Sequence, residues 1–425
     1  MFSSLMKNGR LQVLLFLCCL LFVLACLLFA QPGPRRWTAS VNMENLKDDE
    51  GFETKVSKEI FYQPSSSEKN FSEPILTNVS DLTQLLRERL ALPNDALKIT
   101  HKGACEGHET DVQPCSKEGC PALSAKPLEK RIKDLVLSPQ FQLNDDQLRN
   151  ILRVVRDVPE TDIIIATASS SNHFKEMQAM FKALHSTVYP KLTNFTVVVF
   201  DIGLKKRQRK LTEKYCRCRV LTFPFKLFPP HVRELHCYGW KAIMIRGLIT
   251  KARKLLIWQD TSIRWTDEFL SVFHRAMVFG QQFLESMHGA RLTSHTLPQM
   301  FAYMGEESCQ YFAYRETQCG FQVLKHDPLV IQAILNPWTR CALEQSCMCP
   351  VVPESVIRCS KSVSSFEPRC HRFDQSAMSI ILSKLYAADR YRFAVPEYSN
   401  KNPKYVSIKR GDRLDDYFSR DGSLQ

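Results

Sequence analysis

The sequence predicts an α/β domain with a mostly parallel sheet and flanking helices, preceded by one transmembrane helix and a flexible stem. Between residues 162 and 260, short apolar runs alternate with helical patterns, the order expected of parallel strands joined by crossover helices. A separate run at residues 11–30 carries no charge and is long enough to cross a bilayer. These two observations set the fold class.

The apolar run at residues 11–30 is predicted to be a signal-anchor helix, with residues 1–10 as a cytoplasmic tail. As a helix it satisfies its own backbone hydrogen bonds inside the bilayer. A cleaved signal peptide is the alternative, because Lys7 and Arg10 resemble its charged start. The run is longer than the usual apolar segment of a signal peptide, and position 28 is Leu where a small residue is favoured. The anchor is therefore preferred.

The large C-terminal part is predicted to face the lumen of the secretory pathway. Asn-x-Ser/Thr sequences for N-glycosylation occur at Asn70, Asn78 and Asn194, all after the anchor. Of the 16 cysteines, 3 lie in the anchor, which leaves 13 beyond it. Clustered cysteines suit an oxidising compartment. We therefore expect a single-pass type II protein of the Golgi or endoplasmic reticulum membrane.

The lumenal cysteines are expected to form structural disulfides. Because 13 is odd, at least one thiol is free or pairs with another chain. Cys216-x-Cys218 and Cys347-x-Cys349 are zinc-ligand alternatives, but neither has the spacing and the second matching pair of a zinc site.

Composition divides the rest of the chain into segments. Residues 31–95 are rich in Pro, Ser, Glu, Lys and Asn without periodicity and are predicted to be a flexible stem. Residues 96–158 are predicted to form a small cysteine-containing lobe followed by a helix, and residues 159–395 the main lumenal domain. Residues 396–425 are assigned as a C-terminal tail.

The main domain is predicted to contain parallel strands at 163–168, 195–200, 219–223 and 255–259, all dense in apolar or β-branched residues. Helical patterns precede, separate or follow them, over 144–158, 174–184, 205–215, 240–249 and 377–385. Ligands of such sheets bind outside the carboxyl ends of the strands. Those ends fall here at 168–171, 201–204 and 260–262.

Several function classes lack their sequence signals. The sheet does not open with Gly-x-Gly-x-x-Gly, and neither a phosphate-binding Gly-x4-Gly-Lys-Ser/Thr loop nor a Gly-x-Ser-x-Gly elbow is present, which disfavours dinucleotide, ATP and esterase chemistry. The net charge of +13 includes the runs 205–210 and 251–254. A solvated basic face explains such runs, as does an anionic nucleotide-sugar donor or an acidic glycan acceptor. Nucleic acid is not an expected partner in the lumen.

Four runs in the main domain resemble nucleotide-sugar-dependent glycosyltransferases of the GT-A type. They are FDIGLKKRQRKL at 200–211, FPFKLFPPHV at 223–232, CYGWKAIMIRGLI at 237–249 and LLIWQDTSIRW at 255–265. Together with CHRFDQS at 370–376, they also resemble a group of animal single-pass membrane proteins of unknown function. The resemblance covers roughly residues 160–390. It implies transfer of a sugar from a nucleotide sugar to a glycan or glycoprotein acceptor.

The resemblance implies donor-binding roles for Asp201, Lys241, Asp260 and Ser262. In the GT-A pattern two aspartates hold Mn²⁺ or Mg²⁺ against the sugar diphosphate. Here the second aspartate is replaced by Ser262, so Asp260 is the remaining metal ligand and metal dependence is in question. Asp260 as the cap of the next segment, and Lys241 as a surface lysine, are the structural alternatives.

The distal motif supplies the catalytic candidates Asp374, His371 and Gln375. A carboxylate near the acceptor hydroxyl serves as general base in inverting transferases, which is the role implied for Asp374. His371 is an alternative metal ligand or phosphate partner. Asp374 also begins a helical apolar face, so capping of that helix is the structural alternative. Trp258, Trp265 and Trp338 are predicted to be core residues rather than sugar-stacking platforms.

Two other functions are consistent with the same sequence. The first is a lumenal protein that keeps the sugar-nucleotide fold without catalysis and acts as a binding or scaffold partner, which the replacement by Ser262 favours. The second is a methyl- or sulfotransferase. A sulfotransferase requires a phosphate-binding loop after its first strand, and the Ser-rich residues 169–172 are a poor substitute for one.

Overall fold

The computed structural model describes residues 78–92, 123–285, 291–312, 314–350, 359, 370–395 and 403–419. All of them belong to one compact unit, Gly51–Gln425. The predicted cytoplasmic tail, the anchor, Asn70 and the cysteines at 105, 115 and 120 lie outside the described residues. Within those residues no helix has the length and apolar character needed to cross a membrane.

A six-stranded mixed sheet forms the centre of the domain, with the strand order β3-β2-β1-β4-β7-β6. Strands β1 to β4 are mutually parallel, whereas β7 is antiparallel to both of its neighbours, β4 and β6. A separate antiparallel pair joins β5 to β8. The strands are β1 Thr161–Ser169, β2 Phe195–Asp201, β3 Arg219–Thr222, β4 Ala252–Gln259, β5 Ile263–Trp265, β6 Gln281–Glu285, β7 Thr317–Lys325 and β8 Val406–Ile408.

Helices cover the sheet and fill the sequence between its strands. They are α1 Val79–Ala91, α2 Leu128–Val136, α3 Asp145–Val154, α4 Phe174–Ala183, α5 Lys206–Tyr215, α6 Gly239–Leu248, α7 Leu270–Phe279, α8 Pro298–Met304, α9 Asn336–Ala342, α10 Gln345–Met348 and α11 Asp374–Tyr386. The predicted fold class, α/β with a mostly parallel sheet, is confirmed, and so are its parallel strands. Strands β5 to β8 are additional to the prediction.

The central strands form where the sequence concentrates β-branched residues. Ile163, Ile164 and Ile165 in β1 are fully buried, as expected for a strand that is covered on both faces. The helix before β1 begins as its sequence indicates. The Asn144 side chain accepts from the backbone N–H of Gln147 at 2.8 Å, and the Gln147 side chain accepts from the Asn144 N–H at 3.1 Å, a reciprocal cap.

The prediction that residues 31–95 are a flexible stem is wrong at its C-terminal end. Residues 79–91 form α1, whose Leu82 and Leu86 are fully buried. Arg89 of α1 forms a buried ion pair with Asp327 at 2.7 Å. The apolar residues of this short segment are spaced for one helical face, so it packs on the domain instead of extending from it.

The predicted C-terminal tail is also part of the folded domain over residues 403–419. Strand β8 pairs with β5, with Val406 opposite Trp265. Phe418 is fully buried and packs against Phe174 and Phe181 at ring-centroid distances of 6.0 and 5.6 Å. One short strand and one aromatic anchor give this segment little periodicity, which is why composition alone assigned it as a tail.

The expected disulfides are present. Cys216 bonds to Cys218, Cys237 to Cys349, Cys341 to Cys347 and Cys359 to Cys370. Cys309 is disulfide-bonded as well. Cys319 is a buried free thiol, in agreement with the odd number of cysteines beyond residue 30. The two Cys-x-Cys pairs are therefore disulfide sulfurs and not zinc-binding thiolates.

Candidate functional site

A buried lysine joins two aspartates at the carboxyl edge of the parallel strands. The Lys241 ammonium, in the first turn of α6, lies 3.3 Å from Asp260 Oδ1 and 3.0 Å from Asp374 Oδ2. Asp260 directly follows β4, and Asp374 is the first residue of α11. The fold thus brings together three of the residues that the sequence singled out, from three separate elements.

The Lys241 ammonium is enclosed by three acceptor groups of the protein. It has three N–H groups, and three acceptors surround it, since the Cys319 carbonyl lies 3.4 Å away in addition to the two carboxylates. Its side chain is only 4% exposed. Burial opposes the charge, but the carboxylates of Asp260 and Asp374 outweigh it and raise the pKa of Lys241. Lys241 is therefore a charged, buried residue and not a surface lysine.

Asp260 is the accessible member of this cluster, with 38% of its side chain exposed. Besides Lys241, its Oδ1 accepts from the Trp258 indole N–H at 3.0 Å. Its backbone N–H donates to the Gly320 carbonyl at 2.7 Å, which ties the end of β4 to β7. The carboxylate therefore has one oxygen held by the protein, while the side chain as a whole faces solvent.

Asp374 is held inside the protein. Its side chain is 4% exposed, and burial raises its pKa although Lys241 opposes that shift. Helix α11 has no side-chain cap, so Asp374 does not serve as the helix cap that its position suggests. Its carbonyl accepts from the Trp338 indole N–H at 3.0 Å. Asp374 is placed to position Lys241 rather than to touch a ligand directly.

Tyr238 borders the cluster on its open side. Its ring centroid lies 5.1 Å from the Lys241 ammonium, and it is one of the exposed large apolar side chains, 38% accessible. Its backbone has the left-handed conformation, φ 55° and ψ 13°, which a residue with a Cβ adopts at some cost in free energy. The neighbouring Cys237–Cys349 disulfide anchors the chain there. Sequence reasoning did not single out Tyr238.

The turn after β4 presents only Asp260. Thr261 Oγ1 donates to Glu176 at 2.7 Å, and Ser262 is 9% exposed, with its carbonyl accepting from the Lys409 N–H at 2.7 Å. Burial opposes ionisation of Glu176, but hydrogen bonds from His173, Thr261 and the backbone of residue 411 lower its pKa to about 2. Both residues after Asp260 therefore face inward.

These residues do not fit a divalent metal. Mn²⁺ and Mg²⁺ need several oxygen ligands in a near-octahedral arrangement, and among the described residues this edge offers one accessible carboxylate, that of Asp260. Ser262 is buried, Asp374 is buried, and the Lys241 ammonium already contacts both aspartates. A second cation at Asp260 would lie against that ammonium and be repelled by it.

Asp201, the other donor-binding candidate, forms a closed turn. Its Oδ1 accepts from the backbone N–H groups of Gly203 and Leu204 at 2.9 and 2.7 Å, and its Oδ2 pairs with Arg209 at 3.0 Å. Gly203 has φ 140°, within the region that favours glycine. These contacts hold the loop after β2 at the same edge of the sheet as Asp260.

His371 contacts Leu297 and Gln375 contacts Glu316, and neither makes a described contact with the Lys241 cluster. His371 is fully buried, its Nδ1 accepts from the Leu297 N–H at 3.3 Å, and burial lowers its pKa to about 3. Gln375 donates to Glu316. These contacts connect the start of α11 to the loop before α8.

Arg372 is a site residue that sequence reasoning missed, although it lies in the distal motif. Its Nε donates to Glu316 at 3.1 Å, and its side chain is 33% exposed. Its charge acts on both Tyr238 and Asp374, lowering the pKa of each against the effect of burial. Arg372 therefore supplies a partly exposed cation next to the cluster, whereas the Lys241 cation is buried.

The residues His295, Cys359 and Cys370 come within 4.8 Å of one another through atoms that can bind metals. The two sulfurs are joined in a disulfide, so neither is the thiolate that a metal requires. His295 Nδ1 pairs with Glu316 at 2.6 Å. This cluster is a stabilising contact around the disulfide.

The predicted core tryptophans are confirmed. Trp258 and Trp338 are fully buried, and Trp265 is 6% exposed. Trp258 and Trp338 nevertheless reach the site through their indole N–H groups, which bond the Asp260 carboxylate and the Asp374 carbonyl. Their role here is to hold these acidic residues in place.

The fold and the edge cluster define a mixed α/β domain with a candidate ligand site beyond its parallel strands. The family model described as "Protein of unknown function (DUF1647)" matches residues 139–246, which include β1, β2, β3 and most of α6. Comparison with curated protein sequences gives no match.

Solved structures similar to this chain include glycosyltransferases. The galactosyltransferase LgtC, in complex with donor and acceptor sugar analogues, is 12% identical, with a TM-score of 0.25 over 42% of this chain; the chain spans 59% of that protein's length. Mouse xyloside xylosyltransferase 1 in its apo form is 11% identical, TM-score 0.32, with 60% of this chain and 99% of that chain covered. The mannosyltransferase Ktr4p from S. cerevisiae is 8% identical, TM-score 0.33, with 61% and 80% covered.

Proposed function

We propose that this chain is a type II membrane protein of the secretory pathway that transfers a sugar from a nucleotide sugar to a glycan or glycoprotein acceptor. The observation that carries the proposal is the ion-paired cluster of Lys241, Asp260 and Asp374 at the carboxyl edge of the parallel strands. That edge is where open α/β sheets bind their ligands.

Stability alone does not account for this cluster. Burying charged groups costs free energy that their mutual attraction only partly offsets, and an apolar replacement is often as stable or more stable. Ionisable groups with perturbed pKa values beside a solvent-facing edge are typical of functional sites. The pKa values of Lys241 and Asp374 are both raised. The cluster is therefore better explained by ligand binding.

The structure suggests a division of roles among the site residues. Asp260 is the carboxylate that faces solvent, so it is proposed to contact the substrate. Lys241 and Asp374 position it. Arg372 has a partly exposed guanidinium suited to a diphosphate, because arginine binds phosphate oxygens through paired N–H groups. The basic helix α5, which follows the Asp201 turn, adds positive charge beside the same edge.

The lumenal placement rests on cysteine and sequon positions. The disulfides described above require an oxidising compartment to form and persist. Asn78 and Asn194 are both exposed, as glycosylation acceptors must be. With the apolar run at residues 11–30 as the anchor, the domain would be held on the lumenal side of the Golgi or endoplasmic reticulum membrane.

A catalytically inactive binding or scaffold protein is the second candidate, and one observation favours it. Ser262 stands in place of a second aspartate and is buried, so the edge lacks the paired carboxylates with which a metal-dependent transferase neutralises its leaving group. Such a protein would bind a sugar or nucleotide at this edge without turnover.

The test is a screen of the full-length chain in detergent against UDP-, GDP- and CMP-sugars, each with and without Mn²⁺. The proposal expects at least one donor to bind and to be hydrolysed slowly in the absence of acceptor. Binding without any hydrolysis or transfer supports the inactive candidate. If no nucleotide or nucleotide sugar binds, the chain is not a transferase of this kind.

Topology is tested separately on the protein in cells. Endoglycosidase digestion should increase the electrophoretic mobility of the full-length chain, and the chain should stay in the membrane fraction after carbonate extraction. Replacing Asn70, Asn78 and Asn194 together should abolish the mobility change. Secretion of a product that begins near residue 31 would contradict the anchor.

A further inference from the structure

We propose that Asp260 binds a hydroxyl group of a sugar directly, beside Tyr238, in a subsite that operates without a divalent metal. This inference rests on the proposed function, because it names what one part of the same site recognises. It also applies if the protein binds sugars without transferring them. The ligand class is a neutral pyranose, free or as the sugar portion of a donor or acceptor.

The two oxygens of the Asp260 carboxylate differ in their protein contacts. Oδ1 of Asp260 is occupied by Lys241 and the Trp258 indole N–H. No protein donor contacts Oδ2 among the described residues. A carboxylate has roughly four lone-pair sites on its two oxygens, so Oδ2 keeps acceptor capacity for a ligand. Hydroxyl groups are the donors that a carboxylate meets in a neutral sugar.

Gly320 lies beside Oδ2 of Asp260 and leaves space for a ligand there. The residue opposite it on β7 is Gly320, and a Cβ at that position would come within 3.0 Å of Oδ2. The absence of a side chain at residue 320 leaves room beside this oxygen. The carboxylate is nevertheless fixed in place, because the Asp260 N–H bonds the Gly320 carbonyl and Lys241 holds Oδ1. A held carboxylate with one open oxygen loses little conformational freedom when a ligand binds.

Tyr238 is the aromatic neighbour of Asp260 at this site. Tyr238 and Asp260 both face the Lys241 ammonium, at 5.1 Å from the ring centroid and 3.3 Å from Oδ1. The Tyr238 ring is partly exposed, whereas Trp240 and Trp258 behind it are buried. An exposed aromatic face offers apolar contact to the C–H face of a sugar, with a polar hydroxyl at its rim. A carboxylate beside such a ring suits a pyranose.

The sugar subsite at Asp260 is distinct from the side chain that would bind the phosphates of a donor. The Lys241 side chain is 4% exposed, and its ammonium already faces two carboxylates and the Cys319 carbonyl, so it is not accessible to a phosphate. Arg372 is the partly exposed cation nearby. The structure thus assigns phosphate binding and sugar binding to different side chains, which can be tested independently.

The experiment uses the full-length chain in a detergent without a sugar headgroup. Saturation-transfer NMR measures binding of five probes, namely glucose, galactose, mannose, xylose and N-acetylglucosamine, in the presence of EDTA. Calorimetry measures binding of GDP and UDP, and of Mn²⁺ alone. The variants are Asp260→Asn, Tyr238→Ala and Arg372→Gln, with the exposed Asp157→Asn as the control for an unrelated lost charge.

We expect at least one monosaccharide to bind with EDTA present. That binding should weaken by roughly tenfold or more in Asp260→Asn, equivalent to about 1.4 kcal/mol, and should also weaken in Tyr238→Ala. Arg372→Gln should retain monosaccharide binding and lose nucleoside diphosphate binding, and Asp260→Asn should do the reverse. The wild-type chain should show no saturable Mn²⁺ binding up to roughly millimolar concentration.

Three results would overturn the inference. They are Mn²⁺ binding that is lost in Asp260→Asn, the absence of monosaccharide binding to the wild type, and monosaccharide binding that Asp260→Asn leaves unchanged. Should Asp260→Asn fail to fold, Tyr238→Ala and the wild-type Mn²⁺ titration still decide. Monosaccharide binding without any nucleotide binding would refute the proposed transfer and leave this subsite standing. Nucleotide binding that requires Mn²⁺ at Asp260 would overturn this subsite and leave the proposed transfer standing.

Discussion

The Asp260 carboxylate lies over the backbone of Gly320, where any other residue would place its Cβ atom within 3.0 Å of Oδ2. A contact that close is tighter than most in folded proteins, so a larger residue at 320 requires the carboxylate to shift by a few tenths of an ångström. The strand end and the site residue therefore depend on each other, although 59 positions separate them in the sequence.

Gly320→Ala should lower ligand binding at the Asp260 edge with a modest loss of stability. The added methyl shifts the carboxylate by a few tenths of an ångström relative to Lys241 and Trp258. Binding of whichever nucleotide sugar or sugar the wild type binds should fall several-fold, as measured by calorimetry. Introduced into Asp260→Asn, the same change should have a much smaller further effect, because coupled sites are not additive. Full additivity of the two changes would show that Gly320 acts elsewhere.

Asp260→Asn should cut turnover of the accepted donor by at least roughly tenfold, or about 1.4 kcal/mol. Asparagine keeps the size and an acceptor oxygen for Trp258 but removes the charge. Because the side chain is partly exposed, the midpoint of thermal unfolding should change little. Asp157→Asn, at an exposed position, is the matched control. Retention of the folded variant in the endoplasmic reticulum, with a lowered melting temperature, would assign Asp260 a structural role.

Lys241→Met should destabilise the domain strongly, by about 3–5 kcal/mol, because it leaves Asp374 buried without its partner. Combining it with Asp374→Asn removes that stranded carboxylate and should recover part of the loss. A double-mutant cycle by urea unfolding gives the coupling. Zero coupling would mean that the 3.0 Å pair contributes nothing to folding.

The sequence anticipated the parallel part of the sheet because local composition decides it. Strands β1, β2 and β4 are continuous apolar runs flanked by helical patterns, as expected of buried parallel strands joined by crossover helices. Strand β7, TQCGFQVLK, contains Gly and several polar residues, so no local pattern marks it. Its position between β4 and β6 depends on long-range antiparallel pairing that periodicity does not report.

The candidate site was predictable as a set of residues but not as a geometry. Asp260 and Lys241 were identified by strand-end position and by resemblance, and Asp374 by its motif. That Lys241 is buried between the other two depends on how α6 and α11 pack, which no spacing in the sequence encodes. Tyr238 has no sequence signal for its left-handed backbone, since Asn, Asp and His are the residues enriched there.

Buried His371 should make stability depend on pH between about 3 and about 6.5. Burial lowers its pKa to about 3, below the unfolded value of about 6.5. Between these two pKa values the unfolded chain binds a proton at His371, whereas the folded chain does not. The stabilisation is fully present above about pH 6.5 and is lost progressively as pH falls towards about 3.

His371→Gln keeps an acceptor for the Leu297 N–H and removes the titration, so its free energy of unfolding should vary less over this range. His236→Gln, at a mainly exposed side chain, is the control and should behave like the wild type. Chemical denaturation at several pH values measures the slopes. Equal slopes for wild type and His371→Gln would contradict this account.

Arg89→Met should show that α1 is part of the folded domain. The Arg89 guanidinium lies 2.7 Å from Asp327, with both side chains buried, and it packs against Gly280, where a Cβ would come within 2.2 Å of Nη1. Methionine keeps the apolar stem but leaves the Asp327 carboxylate buried without its cation, a change that costs about 3–5 kcal/mol in comparable buried pairs. Arg87→Met, on the exposed face of the same helix, should cost less than about 0.5 kcal/mol. Urea unfolding of the two variants gives the difference directly. Equal stability of Arg87→Met and Arg89→Met would return residues 79–91 to the stem, whereas a large difference assigns them to the folded domain.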